Sequence, residues 1–324
     1  MFYIDLIQLF TKRILQVLLL LLILIVALLV PNYAHAYTGV TVLMSADTMV
    51  NQEFIIHLKE ELAGVKGNSL RVKVVDLQES DKLVIAENSE LVIALGTKAL
   101  SAASKLKHST PVLGIFTPLP TFNSFLAESH RDLGNFSAIV LDQPYPRQMS
   151  LIKTILPEAK NLGVLLGASS SQYEELLKEV GEKNAFNVIA ENINQEAELI
   201  PKLRLILDTT DALMAIPDTL IYSRETAQPI LLTSYRYQKP VFGYSQSYVR
   251  AGALAAVYSS TKQLAKQAAE IAVKSQPTPG LLPPPQTPKY FSIALNLQVA
   301  RALNIPLVDE KEIFKKMLEI EKSD

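Results

Sequence analysis

Beyond residue 37 the chain alternates two hydrophobic patterns. Short runs that are apolar at nearly every position occupy residues 40–45, 70–77, 91–96, 111–117 and 136–141. Further runs follow at 161–167, 186–192, 212–217 and 239–245. Unbroken apolarity over so few residues predicts strands buried on both faces, as in a parallel sheet covered by helices. Between the runs the period changes to that of a helix. Residues 49–63 place Phe54, Ile55, Leu58 and Leu62 on one face. Residues 170–184 do the same with Tyr173, Leu176, Leu177 and Val180, and residues 260–274 with Leu264, Ala268, Ile271 and Ala272. Strand–helix alternation with short loops is the α/β pattern.

So many units exceed one ordinary doubly wound sheet. The natural division is Asp142-Gln143-Pro144-Tyr145-Pro146, where two prolines force extended backbone suited to a crossover. A second proline-rich stretch, residues 276–288, can be neither helix nor central strand and reads as a stiff strap. Residues 290–295 then read as a returning strand and 296–303 as a short helix.

The N-terminal segment changes the picture of where the protein works. Lys12 and Arg13 precede an apolar run over 14–30, broken only by Gln16. Pro31 and then Ala34-His35-Ala36 follow. A charged start, an apolar core and a small-x-small site form a secretory signal, with cleavage expected after Ala36. An uncleaved anchor is the alternative, since the run approaches spanning length. Either way the body is exported, and the periplasm is the expected location. The chain has no cysteine, which excludes disulfides, thiol catalysis and Cys-ligated zinc. Lys+Arg total 31 against 32 Asp+Glu, a balance that argues against nucleic acid as a partner.

Ligands of open parallel sheets bind beyond the carboxyl ends of the strands, where helix N-termini offer unpaired N–H groups. The strand ends here carry Ser45, Gly96, Thr97, Thr117, Ser169, Asp218, Tyr244 and Ser245, which are the candidate ligand-binding residues. Thr97, Ser169 and Ser170 also stand where helix caps belong. Catalytic signals are absent: there is no Gly-x-Gly-x-x-Gly and no P-loop. Gly243-Tyr244-Ser245-Gln246-Ser247 lacks the last glycine of a hydrolase elbow, and no histidine lies downstream of it. His57, His108 and His130 show no metal-ligand spacing, so neither metal nor cofactor is expected. Aromatic residues cluster at Tyr235, Tyr237, Phe242, Tyr244 and Tyr248, as sheet packing or as a cleft wall. Arg250 is a candidate carboxylate clamp or a pin between lobes, and Gly252 a helix cap or a point of close approach.

The segments Leu91-Val92-Ile93-Ala94-Leu95-Gly96-Thr97, Asn161-Leu162-Gly163-Val164-Leu165-Leu166-Gly167, Ala215-Ile216-Pro217-Asp218 and Lys239-Pro240-Val241-Phe242-Gly243-Tyr244-Ser245, with residues 296–306, carry a resemblance. The chain resembles the substrate-binding proteins of ABC transporters that adopt the type I periplasmic-binding fold. The resemblance implies two doubly wound parallel-sheet lobes joined by a three-crossover hinge. One lobe would hold 37–142 and about 257–280; the other would hold 143–256 and about 281–324. It implies capture of a small polar or zwitterionic, amino-acid-like solute between the lobes, for delivery to an ABC permease. Thr97 and Thr117 fall where such proteins hold a ligand carboxylate, and Asp218 where an acid takes an ammonium. The rival readings are a sensor subunit for a membrane receptor kinase and, more remotely, a cleft enzyme.

Overall fold

The computed structural model describes residues 39–65, 70–77, 86, 89–275, 281–306 and 309–323. The expected export signal and residues 276–280 of the strap lie outside the described residues. Among the described residues no helix is long and apolar enough to cross a membrane.

The first half of the chain builds a five-stranded sheet. Strands β1 (Gly39–Met44), β2 (Arg71–Asp76), β3 (Leu91–Leu95), β4 (Val112–Thr117) and β5 (Phe136–Val140) line up in the order β2-β1-β3-β4-β5. All their pairings are parallel. The runs of β1, β3 and β5, apolar but for Thr41 and Ser137, are buried at every position, because helices cover both faces. The edge strand β2 departs from this and is mostly half-exposed. Helix α1 (Met49–Gly64) buries Phe54, Ile55, Leu58 and Leu62, the face its spacing predicts. It is flanked in the chain by β1 and β2; helices α2 (Thr97–Ala103) and α3 (Leu119–Ser129) follow β3 and β4.

The second half builds a six-stranded sheet. Helix α4 (Tyr145–Ile155) leads into β6 (Asn161–Leu166). Then come α5 (Glu174–Lys183), β7 (Asn187–Asn192), α6 (Glu196–Thr209), β8 (Ala212–Met214), α7 (Arg224–Arg236), β9 (Val241–Gly243), α8 (Gln246–Ala251) and β10 (Ala255–Tyr258). After α9 (Thr261–Ser275), β11 (Ser292–Leu295), α10 (Leu297–Ala302) and α11 (Glu310–Ser323) complete the chain. The order is β11-β10-β9-β8-β6-β7, parallel except for the antiparallel pair β10–β11. Two sequence expectations differ here. Leu176 of α5 is exposed, while Leu177 takes its expected core position. Strand β10, Ala-Ala-Val-Tyr, escapes pattern reading because two of its four residues are alanines with little strand preference.

Helix α9 lies far along the chain yet packs on α1 of the five-stranded lobe, and its Leu264, Ala268, Ile271 and Ala272 join the core of that sheet. Ser260 and Gln263 cap it reciprocally: the Gln263 N–H donates to Ser260 Oγ (3.3 Å) and the Ser260 N–H to Gln263 Oε1 (2.8 Å). The proline strap continues along the free edge of β5. The Leu282 N–H donates to Gly134 O (2.6 Å) and the Gln286 N–H to Ala138 O (2.8 Å), and Gln286 O accepts from the Val140 N–H (2.9 Å). Prolines 283–285 have no N–H, so the strap covers the edge without forming a full strand.

Three segments therefore pass between the sheets: after β5, after β10, and before β11. Side chains tie them together. Gln143 Nε2 donates to Ser259 Oγ (2.9 Å), and Ser259 Oγ donates to Tyr290 O (2.6 Å). Arg147, nearly buried, donates from Nη1 to Gln143 Oε1 and to Pro288 O, both at 2.8 Å. It also pairs with Glu321 of α11 and lies 4.3 Å over the Phe291 ring. Replacing Arg147 by Ala removes charge-assisted bonds and a ring contact at once. The unfolding free energy is expected to fall by about 2 kcal/mol, read by urea denaturation.

Asp142 sits at the first crossover, buried, its Oδ2 accepting from the Leu119 N–H at 2.7 Å. Burial pushes its carboxyl above the ordinary range, and the hydrogen bonds from the Leu119 and Asp142 backbone only partly offset this. The folded state thus holds the proton more tightly than the unfolded chain does. Stability contributed by the protonated form is lost as pH rises through the raised folded value. Asp142→Asn keeps the acceptor without the charge. It is expected to be more stable than the parent at about pH 8, with the gap narrowing as pH falls through the raised folded value, in the same denaturation measurement.

Candidate functional site

The facing strand ends of the two sheets enclose a cavity of about 630 Å³, within the range of small-molecule sites. Pro118, Pro120, Thr121, Ser124 and Leu141 form the wall on the five-stranded side. The loops after β6, β8 and β9 form the other wall, through Ser169, Asp218, Tyr222, Tyr244 and Ser245 among others. Tyr258, Ser259 and Pro288, at the crossovers, close the back.

Asp218 is the centre of the polar chemistry. It is 6% exposed. Its Oδ2 accepts from Ser169 Oγ (2.7 Å) and Ser170 Oγ (2.8 Å), and its Oδ1 from the Leu220 N–H (2.9 Å). These donors are all neutral. Among the described residues no ion pair involves Asp218, so its negative charge is solvated by dipoles without being neutralised. The Ser169 and Ser170 hydroxyls, expected as helix caps, are drawn to this carboxylate instead. Gly167 makes the approach possible. A Cβ there would stand 2.6 Å from Asp218 Oδ1, closer than nonbonded atoms tolerate.

Beside Asp218 stand three tyrosines in mutual contact. Tyr222 meets Tyr244 and Tyr248 edge-on, each at 5.9 Å between centroids, while Tyr244 and Tyr248 stack at 5.8 Å. Tyr222 and Tyr244 face the cavity and Tyr248 backs them. Burial first, then neighbouring phenols and Asp218, pushes the Tyr222 hydroxyl well above its ordinary range. Burial and Asp218 raise Tyr244 in the same way. The trio is a neutral aromatic wall against one anionic group.

The strand-end residues expected to bind ligand separate into two sets. Ser169, Asp218, Tyr244 and Ser245 come together around the cavity. Ser45, Gly96, Thr97 and Thr117 end strands on the five-stranded side but do not line it. Thr117 is fully buried, because a bulge at Phe116 (φ 59°) shifts the β4 register and turns the hydroxyl inward, where its Oγ1 makes no hydrogen bond. Gly96 (φ 85°) is itself the N-cap of α2, leaving Thr97 as an exposed first residue. Of the aromatic cluster, Phe242 is core and Tyr235 is exposed on α7. Arg250 is exposed and donates to Gln246 Oε1 at 3.0 Å, outside the lining, and Gly252 (φ 130°) caps α8. Sequence reading missed Tyr222 and Tyr258. The available signal for Tyr222 was its position four residues after Asp218, one turn on.

Residues 58–316 match the family described as ABC transporter substrate binding protein. The chain belongs to that family. Members of that family are described as the substrate-binding proteins of ABC transporters. A tyrosine-binding protein of Clostridioides difficile is 23% identical over 194 residues, covering 59% of this chain. The match spans only 55% of that relative, about half its length. Among solved structures, the ligand-free open form of a substrate-binding protein with adhesive properties from Clostridium difficile superposes with a TM-score of 0.66. It shows 19% identity and covers 85% of this chain and 97% of the other. The ABC domain of a Streptococcus pneumonia protein in complex with L-Trp gives a TM-score of 0.58 at 18% identity, with 86% of this chain and 98% of the other covered. These likenesses establish that the binding protein has the two-lobed architecture of the type I periplasmic-binding fold.

Gly167→Ala in this binding protein should push its new methyl group into Asp218. A loss of about 1–3 kcal/mol in stability is expected, seen in urea denaturation, as for other overpacked sites.

Proposed function

We propose that the protein captures an aromatic, amino-acid-like solute between its lobes outside the cytoplasm and delivers it to an ABC permease. The observation that carries this reading is the shared cavity of Asp218 with Tyr222 and Tyr244. An ammonium group would neutralise the buried carboxylate, a pairing worth most where water is excluded. A ring would stack on or meet the tyrosine wall edge-on. The names of two relatives support the same class: one is a tyrosine-binding protein and one was crystallised with L-Trp. Closure of the two lobes about the tied crossovers would exclude solvent from the bound solute, the hinge motion used by two-lobed binders. The charged, apolar and Ala-His-Ala pattern at residues 12–36 supports a location in the periplasm.

Thermal unfolding against a panel of amino acids, sugars and carboxylates tests the reading. A ligand at about 100 times its Kd stabilises by about 2.7 kcal/mol, a rise of roughly 5 °C for a chain of this size. Tyrosine, tryptophan or phenylalanine is expected to give that shift, and sugars none. Tyr244→Ala should weaken the aromatic ligand by about tenfold, measured by titration calorimetry. A shift with sugars alone would reverse the assignment.

A further inference from the structure

Among the described residues the cavity wall carries one charged side chain, the carboxylate of Asp218. An amino acid brings a carboxylate of its own, and among the described residues the wall offers it neutral donors such as Thr121, Thr219 and Gln172 but no cation. Helix α3 directs its N-terminus at the cavity, and within its first turn Thr121 alone brings an uncommitted donor to the wall. Pro118 and Pro120 have no N–H, and the Leu119 N–H is taken by Asp142 Oδ2 at 2.7 Å. The Phe122 N–H already makes the first helical bond, to Pro118 O (3.0 Å). Asp142 adds a second negative group beside that turn. On the opposite wall the Ser169 hydroxyl is committed to Asp218, and Ser245 Oγ accepts from the Tyr248 N–H (3.2 Å) as the cap of α8. A cation beside the lining is Arg250. It bonds the lining residue Gln246, and it only partly offsets the burial and the Glu310 charge that raise the Tyr258 hydroxyl. It is exposed, where an ion pair with a ligand would be screened by water.

On the reading that this cleft takes an aromatic solute bearing an amine, we propose that recognition rests on the protonated amine and the ring alone. The ligand carboxylate is dispensable, so aromatic monoamines are ligands of the same site as the parent amino acids. The amine answers the unneutralised charge of Asp218, and the ring fills the space beside Tyr222 and Tyr244. A carboxylate left at the cleft mouth, towards Arg250, remains hydrated. A ligand carrying only the carboxylate meets Asp218 with like charge and without compensation.

Calorimetric titration of the full-length protein with three probes decides the matter: L-tyrosine, tyramine and 3-(4-hydroxyphenyl)propionate. They share the ring and differ in which charged group they carry. Tyramine is expected to bind within about tenfold of tyrosine, and the propionate at least about a hundredfold more weakly. Asp218→Asn should weaken tyrosine and tyramine in parallel by at least about tenfold. Because Asp218 also holds its own loop, the wild-type series carries the test unaided. Arg250→Ala is expected to leave tyramine unaffected. Binding of tyrosine without tyramine, or of the propionate as tightly as tyrosine, would overturn the inference and leave the aromatic amino-acid reading intact. A loss of tyrosine binding in Arg250→Ala comparable to that in Asp218→Asn would overturn it as well. Failure of all three probes would overturn the underlying reading itself.

Discussion

Everything in this molecule turns on three polypeptide segments being held side by side. The Gln143–Ser259–Tyr290 relay joins one residue from each crossover, and Arg147 clamps the first to the third. The relay sits where both sheets end, so it fixes the axis about which the lobes can turn and sets which strand ends face each other. Side-chain amides and hydroxyls suit this duty. They hold the segments in register through directional bonds.

The chemistry of the cleft follows from that geometry and from burial. The loops after β6 and β8 converge on one carboxylate, and neutral donors hold it in place. Those donors satisfy the carboxylate oxygens without bringing a positive charge. An internal lysine or arginine would have stabilised the apo protein and spoiled the site for a cationic group. The tyrosine trio supplies the opposite quality: large, stiff surface with no charge of its own at working pH.

Much of this was legible in the sequence. Runs such as Leu91-Val92-Ile93-Ala94-Leu95 and the period of Phe54, Ile55, Leu58 and Leu62 specify their elements by local pattern, which depends only on near neighbours. Ser169, Asp218, Tyr244 and Ser245 were legible as strand-end polar residues because parallel sheets concentrate loops at one edge. The choice among strand ends was not. Thr117 looks equivalent to Ser169 in sequence, but a bulge one residue earlier turns it into the core, and no local signal announces a non-glycine left-handed residue at Phe116. Tyr222 was missed for a related reason: its role depends on where Tyr244 and Tyr248 lie, more than 20 positions away. The short strand β10 was not legible, whereas its partner β11, more than 30 residues further on, was read as the returning strand over residues 290–295.

The proline strap and α9 have a consequence for how the protein comes into being. The five-stranded lobe begins at Gly39, yet its α1 face is covered by residues 261–275 and its β5 edge by residues around 282–286. A chain that emerges from its N-terminus therefore exposes an unfinished sheet, with an apolar face and an open edge, until most of the other lobe has appeared. The two lobes cannot mature as independent units. Their assembly is one coupled, long-range event, slow by the standard of local folds and in need of protection while it waits.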